Sequence, residues 1–435
     1  MKAPKALPAP TRRARRQAVR KTELSPYSLD NCIVDMSHIC NDMTRLVLGG
    51  AAILGASLAT AQVYEDNLPL EHPAIQYRHE PANDPVARLA RELESGDSAL
   101  DFDAGLSYLP SLLDRLGLRI DSQTLVFSKT SVQESLISPR TPRAIYFHDD
   151  VAVAFVPGSN AIELAAVDPS KGVVFYSLDA RKTEKPRLVR SEGCLHCHQG
   201  PATLGVPGIY VGSVHTSPSG RADFRLGSIV TDHRTPFADR WGGWYVDGAT
   251  GETHRGNAVS TDPEFTTAMP VPRLDLFDAK NYLLPSSDIV ALMTLEHQTQ
   301  ATNLITRLSW EARIDPLGPG LASRIEEVAR YMLFLDEVPL REAIRGVSSF
   351  AESFPRQGPR DREGRSLRDF DLEKRLFRYP LSYMVYSRHF DGLPKAVREP
   401  LCRRLYELLP GEERQAILEI LRDTKPGLPG FEMAR

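Results

Sequence analysis

The chain has 435 residues, of which 42% are apolar and 25% charged, and its net charge is −3. These proportions are typical of a globular protein, and they exclude a collagen-like or wholly disordered chain. The slightly acidic balance also argues against a nucleic-acid partner, because phosphate binding usually needs a basic face.

Residues 1–61 differ in character from the rest of the chain. Residues 1–42 contain a run rich in Pro, Ala and Arg, which is typical of a disordered segment or of a gene start placed too early, with Met43 then the true initiator. Residues 43–61 have a basic residue, Arg45, near their start, continue with an apolar run and end with small residues, which is the pattern of a secretory signal peptide. We therefore expect a periplasmic or otherwise exported protein.

Loss of this leader would make the protein more acidic. The remaining residues hold 44 Lys and Arg against 52 Asp and Glu, a net charge of −8, so no nucleic-acid partner is expected. No later apolar run approaches the roughly 20 residues that a membrane-spanning helix needs. We expect no transmembrane anchor after signal cleavage.

Three segments of different pattern follow. Residues 62–120 indicate an extended arm and short helices, whereas residues 121–284 alternate with a period of two and are rich in β-branched and aromatic side chains. Residues 285–435 show helical spacing, and Ser286 or Ser287 is the expected cap of the first long helix. The predicted fold class is α+β, with a mainly antiparallel sheet followed by a C-terminal helical region.

One motif carries recognisable chemistry. In SEGCLHCHQGP, Cys194, Cys197 and His198 have the C-x-x-C-H arrangement of covalent haem attachment. Two thiols at this spacing reach the two vinyl groups of one macrocycle, and the adjacent imidazole is brought under the iron. Because Cys and His are rare, the chance of an accidental match is on the order of one in a thousand. The motif predicts one covalent haem c with His198 as the proximal iron ligand.

Other uses of the two thiols are less well supported. A structural zinc site would use Cys194, Cys197 and a histidine but needs a fourth ligand. A thioredoxin-like pair would follow a βαβ pattern, which is not found here, and a disulfide between the two would need strained geometry. Cys402 lies in a helical pattern typical of a buried thiol.

Residues 193–200 resemble the attachment site of c-type cytochromes. More loosely, the chain from about residue 138 to its end, including RWGGWYV, LEHQ and YPLSYMVYS, resembles uncharacterised exported bacterial proteins described only as containing a cytochrome c domain. The resemblance implies haem attachment outside the cytoplasmic membrane, which agrees with the predicted signal peptide. The looser similarity carries no known reaction, and a redox partner protein is expected if the haem transfers electrons.

The chain departs from the small cytochromes in two respects. In those proteins the motif opens a helical domain, and a methionine farther along that domain is the far axial ligand. Here the motif lies well beyond the predicted cleavage site and follows predicted strands, and further predicted strands separate it from Met269, the first methionine after it. We therefore expect a haem-binding loop beside the sheet instead of the small all-helical cytochrome fold.

The second axial ligand is predicted from weaker signals. His297 stands on an apolar helix, one turn after Met293, and His254 stands on a Gly-flanked loop that could reach a cofactor. The alternative for His297 is a hydrogen-bonded core histidine, and the alternative for His254 is a solvated loop histidine. Met269 and Met384 are more typical of core side chains, and an open or water-filled iron position is a further alternative.

The segment DHRTPFADRWGGWYV supplies further candidates. Trp241 and Trp244 could form a wall of the haem pocket, and Arg240 could pair with a haem propionate. The alternative is a strand that faces the core, with a surface arginine. His233 would carry protons only if it faced an open side of the haem. His196, inside the motif, is expected to point to solvent.

Two functions are compatible with these features. The first is an exported monohaem cytochrome that transfers electrons through six-coordinate iron. The second is an exported haem enzyme, an oxidoreductase or a peroxidase-like protein, with an open distal iron position. The sequence identifies neither catalytic residues nor a substrate.

Overall fold

The computed structural model describes residues 67–261, 268–270 and 277–431. The predicted leader, residues 1–42, and the predicted signal peptide, residues 43–61, lie outside this described part. The described residues belong to one compact unit, so the changes of pattern near residues 120 and 284 are changes of secondary structure within that unit.

Antiparallel strands form the first half of this unit. The described strands are, in chain order, β1 (Thr124–Val126), β2 (Arg143–His148), β3 (Val151–Phe155), β4 (Ala161–Asp168), β5 (Gly172–Asp179), β6 (Leu188–Arg190), β7 (Val211–Val214), β8 (Ser228–Thr231), β9 (Trp244–Tyr245), β10 (Ala258–Ser260) and β11 (Ala268–Pro270). Seven of them form one sheet in the order β6-β5-β4-β3-β2-β1-β9, while β7 pairs with β8 and β10 pairs with β11.

Helices flank the sheet and follow it in the chain. They are α1 (Pro85–Ser95), α2 (Leu109–Leu116), α3 (Leu195–His198), α4 (Ile289–Ile314), α5 (Leu321–Met332), α6 (Phe350–Ser353), α7 (Arg388–Asp391), α8 (Lys395–Leu408) and α9 (Arg414–Thr424). The predicted α+β class is confirmed. Within the described residues, no helix is both long and apolar enough to cross a membrane.

The two faces of the central strands are buried to different degrees, because side chains alternate between the faces along a strand. On β3, Val153 and Phe155 are buried in a core cluster shared with α1 and α2. The alternate residues Ala152 and Ala154 are only half-buried, and so is Ala165 on the neighbouring strand β4. The sheet therefore presents a second face of small side chains, which α1 and α2 do not cover.

Helix α4 joins the two halves of the described unit. Its N-cap is Asp288, one residue beyond the predicted serine caps, and this carboxylate is fully buried. One oxygen accepts from the amides of Val290 and Ala291 at 2.8 and 3.2 Å. The other accepts from the amides of Val347 and Ser348, both at 2.7 Å. Asp288 thus satisfies the first turn of α4 and fixes a distant loop.

We expect Asp288→Ala to lower the free energy of unfolding by about 2–4 kcal/mol, because the cap is lost and buried amides are left without an acceptor. Denaturant unfolding of the two proteins measures the difference. Asp114→Ala, which removes an exposed carboxylate from α2, is the matched control and should change stability by no more than about 0.5 kcal/mol. Equal losses in the two variants would contradict the role of the cap.

A buried histidine makes stability depend on pH. His389 on α7 is 1% exposed, and its Nε2 lies 2.9 Å from the hydroxyl oxygen of Thr306 on α4. Desolvation lowers the pKa of His389 to about 4. The unfolded chain therefore binds this proton before the folded chain does as the pH falls.

We expect the free energy of unfolding to fall between about pH 6.5 and pH 4, with His389 contributing up to about 3 kcal/mol of the loss. The measurement is denaturant unfolding at both pH values. His389→Gln, which cannot titrate, should show a weaker dependence on pH whatever its stability at pH 7. An unchanged dependence in this variant would contradict the assignment.

Candidate functional site

The predicted attachment residues lie on one turn of helix between β6 and β7. A 3-10 turn, Glu192–Cys194, continues directly into α3, and buried Leu195 anchors this segment in the core. In such a turn, residues three and four apart lie on the same side. Cys194, Cys197 and His198 accordingly all line one pocket.

The orientation of His198 is set by a backbone carbonyl. Its Nδ1 lies 2.9 Å from the carbonyl oxygen of Gly208. A carbonyl can only accept, so Nδ1 carries the hydrogen and Nε2 keeps its lone pair. Metal-binding histidines usually have this arrangement. The rings of Phe175 and Tyr210 pack against the imidazole, with centroids at 5.0 and 5.8 Å.

The environment also keeps His198 neutral. Desolvation lowers the pKa of the ring, and this effect outweighs the hydrogen bond to Gly208, which raises it. A neutral imidazole is the form that coordinates a metal. The site therefore keeps His198 in its coordinating form at lower pH than an exposed histidine would allow.

The position of the Gly208 carbonyl depends on helix α4. The amide nitrogen of Asn303 donates to the carbonyl of Ile209 at 2.9 Å, and this holds the loop against the helix. A Cβ at position 208 would clash with the Asn303 side chain, so only glycine allows this close approach. Asn303 and Gly208 are functional candidates that the sequence analysis missed, because they lie far apart in the chain.

The pocket is a cavity of about 340 Å³, within the usual range for small-molecule sites. Its floor includes Ala152, Ala154 and Ala165 from the less covered face of the sheet. Ala152 lies directly opposite Ala165 in the pairing of β3 with β4. Small side chains at neighbouring positions leave a broad, shallow apolar floor.

The walls come from three other parts of the chain. Strands β7 and β8 contribute Val211 and Val230, helix α4 contributes Leu295, and Trp244 closes one side. The indole nitrogen of Trp244 donates to the carbonyl of Gly212 at 2.8 Å, so this donor is satisfied and the ring can face the pocket. A pocket lined in this way suits a planar apolar ligand.

One charged pair lies in this apolar lining. The Nη1 of Arg143 on β2 lies 3.3 Å from the Oε2 of Glu163 on β4, and each side chain is 21% exposed. The Nε of Arg143 is buried and has no hydrogen-bond partner within the described residues. The sequence analysis missed this pair, although a glutamate on the same strand face as Ala161 and Ala165 in AIELAAV was a visible signal.

His297, a predicted second axial ligand, lies elsewhere. It is fully buried, its Nδ1 is 3.0 Å from Nδ1 of His233, and its Nε2 is 2.7 Å from the hydroxyl of Ser382. Its ring also stacks on Tyr331 at 5.3 Å. Both ring nitrogens are thus engaged, and His233 belongs to the same buried cluster instead of the pocket lining.

The remaining predicted ligands are also placed away from the pocket. His254 packs edge-on against Trp241 at a centroid distance of 5.2 Å. Met384 is buried in the helical core, and Met269 is exposed on β11. Among the described residues that line the pocket, only His198 carries an imidazole, and none carries a thioether.

Arg240 and Trp241 face a buried part of the structure. Arg240 is 1% exposed, and its guanidinium donates to the carbonyls of Thr235 and His233 and to the carboxylate of Glu296. Contact with a propionate would break these bonds. Trp241 is fully buried beside them, so Trp244 is the tryptophan that reaches the pocket. His196 is exposed.

The set of donors at the pocket fits a haem c. The apolar floor suits the macrocycle, the two thiols suit its vinyl groups, and the neutral imidazole suits its iron. Within the described residues, no group of three or more His, Cys, Asp or Glu side chains is arranged to hold a metal ion. A haem iron needs fewer protein ligands, because the macrocycle supplies four nitrogens.

No protein-family model matches the chain, and no curated protein or solved structure matches it either.

The three described cysteines should differ in reactivity in protein prepared without haem. Cys197 is exposed, Cys194 is half-buried with its pKa raised by desolvation, and burial raises the pKa of Cys402 to about 12. Because the thiolate is the reactive form, iodoacetamide at pH 8 should modify Cys197 first, Cys194 more slowly and Cys402 only after unfolding.

Mass spectrometry of the digested protein measures the three rates, with fully unfolded protein as the control in which they should converge. Reaction of Cys402 as fast as Cys197 in the native protein would contradict the described burial.

Proposed function

We propose that this protein is an exported monohaem c-type cytochrome. In this proposal, Cys194 and Cys197 hold the haem covalently, His198 is the proximal iron ligand, and the protein transfers electrons to or from a redox partner protein. The observation that carries the proposal is that all three motif residues line one apolar pocket, with His198 in the tautomer that leaves Nε2 free.

Attachment at this site requires only the two thiols and the two vinyl groups. Cys194 and Cys197 would each add across one vinyl group, with the sulfur on one carbon and the thiol hydrogen on the other, so no oxidant would be consumed. Cys197 is exposed and Cys194 is half-buried at the pocket, which supports access of both thiols to a macrocycle entering from outside.

When bound, the haem supplies a one-electron redox centre. The residues of the chain determine how readily it is oxidised. The hydrogen bond from His198 to Gly208 makes the imidazole a stronger donor, which favours the ferric state. The apolar floor opposes the additional charge of the ferric state and favours the ferrous one.

The rim of the pocket supports contact with a partner protein. Val132 and Phe224 line the pocket and are 79% and 61% exposed, and Cys197 is exposed beside them. Large exposed apolar side chains around a site are typical of interaction surfaces. We propose that the redox partner docks on this rim, where the cofactor edge nearest Cys197 would face it.

A second candidate function is a haem oxidoreductase with an open iron position. The observation that favours it is the Arg143–Glu163 pair, which places charge inside a pocket that is otherwise mainly apolar. A simple electron carrier has no need of such a pair, whereas binding and proton transfer at a reacting ligand use charged groups of this kind.

Export of the full chain in a bacterium that assembles c-type cytochromes tests the proposal. The protein should be coloured, should keep its haem after denaturation in detergent, and should be reduced and reoxidised by one electron per chain. Replacement of both Cys194 and Cys197 by Ala should abolish the covalent haem, because no thioether can form.

Cys402→Ala is the matched control and should keep the haem, since this thiol is buried in the helical core. A colourless wild-type protein that retains zinc would contradict the proposal. Covalent haem in the double variant would contradict the assigned attachment residues.

A further inference from the structure

We infer that Arg143 binds a small anion in this pocket and that, with haem bound, such an anion would reach the iron, because no second histidine and no methionine among the described residues lines the pocket. The inference rests on the proposed haem site and concerns the ligand that the site accepts. It assigns a role to a charged pair that haem attachment itself does not use.

The first support is the placement of the candidate protein ligands. His297 has both ring nitrogens engaged in the helical core, His254 packs on Trp241, and neither methionine candidate lines the pocket. Within the described residues, none of the predicted second ligands therefore lies at the pocket, which supports binding of water or an added ligand to the iron.

The second support is the incomplete hydrogen bonding of Arg143. Its Nη1 donates to Glu163 at 3.3 Å, which is a long contact for a charge-assisted bond. Its Nε is buried from solvent and so does not meet a ligand in the pocket. The contact with Glu163 engages one of the five donors of the guanidinium fork, so an anion that enters the pocket can bind the terminal donors that remain.

The third support is that this pair lies in the same pocket as the motif. Arg143 and Glu163 line the cavity together with Cys194, Cys197 and His198. An anion held by Arg143 would therefore lie in the cavity that the haem is proposed to occupy.

Size and charge define the ligand class. A macrocycle would fill most of a cavity of about 340 Å³, so only a ligand of a few atoms fits beside it. The positive guanidinium favours an anion, while Glu163 disfavours one. We therefore expect small anions with nitrogen or oxygen donors, and a moderate affinity set by the balance of the two charges.

Azide is the probe for the test. Ferric wild-type holoprotein, with its covalent haem, is titrated at constant ionic strength while the haem absorption is recorded. A saturable spectral shift is expected. Arg143→Gln should weaken azide binding at least tenfold, because a charged donor is lost, and Glu163→Gln should strengthen it severalfold, because a repelling charge is lost.

Two controls separate charge from general damage to the pocket. Carbon monoxide binds ferrous haem without charge, so its affinity should change less than twofold in both variants. Arg140→Gln removes an exposed arginine close by in the chain and should leave azide binding unchanged.

The outcomes are distinguishable from failure of the haem proposal. A colourless wild-type protein overturns the haem assignment and this inference together. A coloured protein that does not bind azide has a protein ligand on its iron and overturns the inference alone. Azide binding that is equal in wild type and Arg143→Gln shows that Arg143 serves another anion, such as a haem propionate, and overturns its assigned role.

Discussion

The hydrogen bond from Nδ1 of His198 to the carbonyl of Gly208 is the interaction on which the site depends. It fixes both the tautomer and the direction of the imidazole at 2.9 Å. Without it, the ring of a histidine on this short helix would have only the packing of Phe175 and Tyr210 to orient it. The bond exists because the loop after α3 turns back far enough for residue 208 to lie beneath residue 198.

That turn is stabilised from outside the loop. Asn303 on α4 binds the backbone at Ile209, and the absence of a side chain at Gly208 allows the loop to lie directly on the helix. The helix is in turn capped by buried Asp288. The cap at Asp288 therefore stabilises the helix whose Asn303 holds the loop at Gly208, and that loop orients His198. Helix α4 also supplies part of the pocket wall.

Much of this could be predicted from local patterns. The period of two predicted the antiparallel strands, and the C-x-x-C-H spacing identified three side chains that line one pocket. Long-range contacts could not be predicted in this way. Arg240 has the sequence context of a surface arginine, but Glu296, which lies on α4 far along the chain, pairs with it in the interior. Ser286 and Ser287 are plausible helix caps, yet Asp288 takes that role and also accepts from the backbone amide of Val347, a contact that no local pattern predicts.

The same limit applies to the residues predicted to surround a haem. His297 was a candidate because it lies in an apolar helical pattern, and Trp241 because tryptophan is rare in this chain, but burial among other partners explains both positions. Trp244, close after Trp241 in the chain, reaches the pocket because its strand pairs with β1 at the edge of the sheet. A rare residue type is a reasonable candidate for a functional site, but only the fold determines what its side chain contacts.

Resonance Raman spectroscopy of the ferrous protein tests most directly the central claim that His198 holds the iron. The wild-type protein should show an iron–imidazole stretching band, which His198→Gly should lose and added imidazole should restore. An unchanged band in His198→Gly would contradict the account, because another side chain would then be the axial ligand.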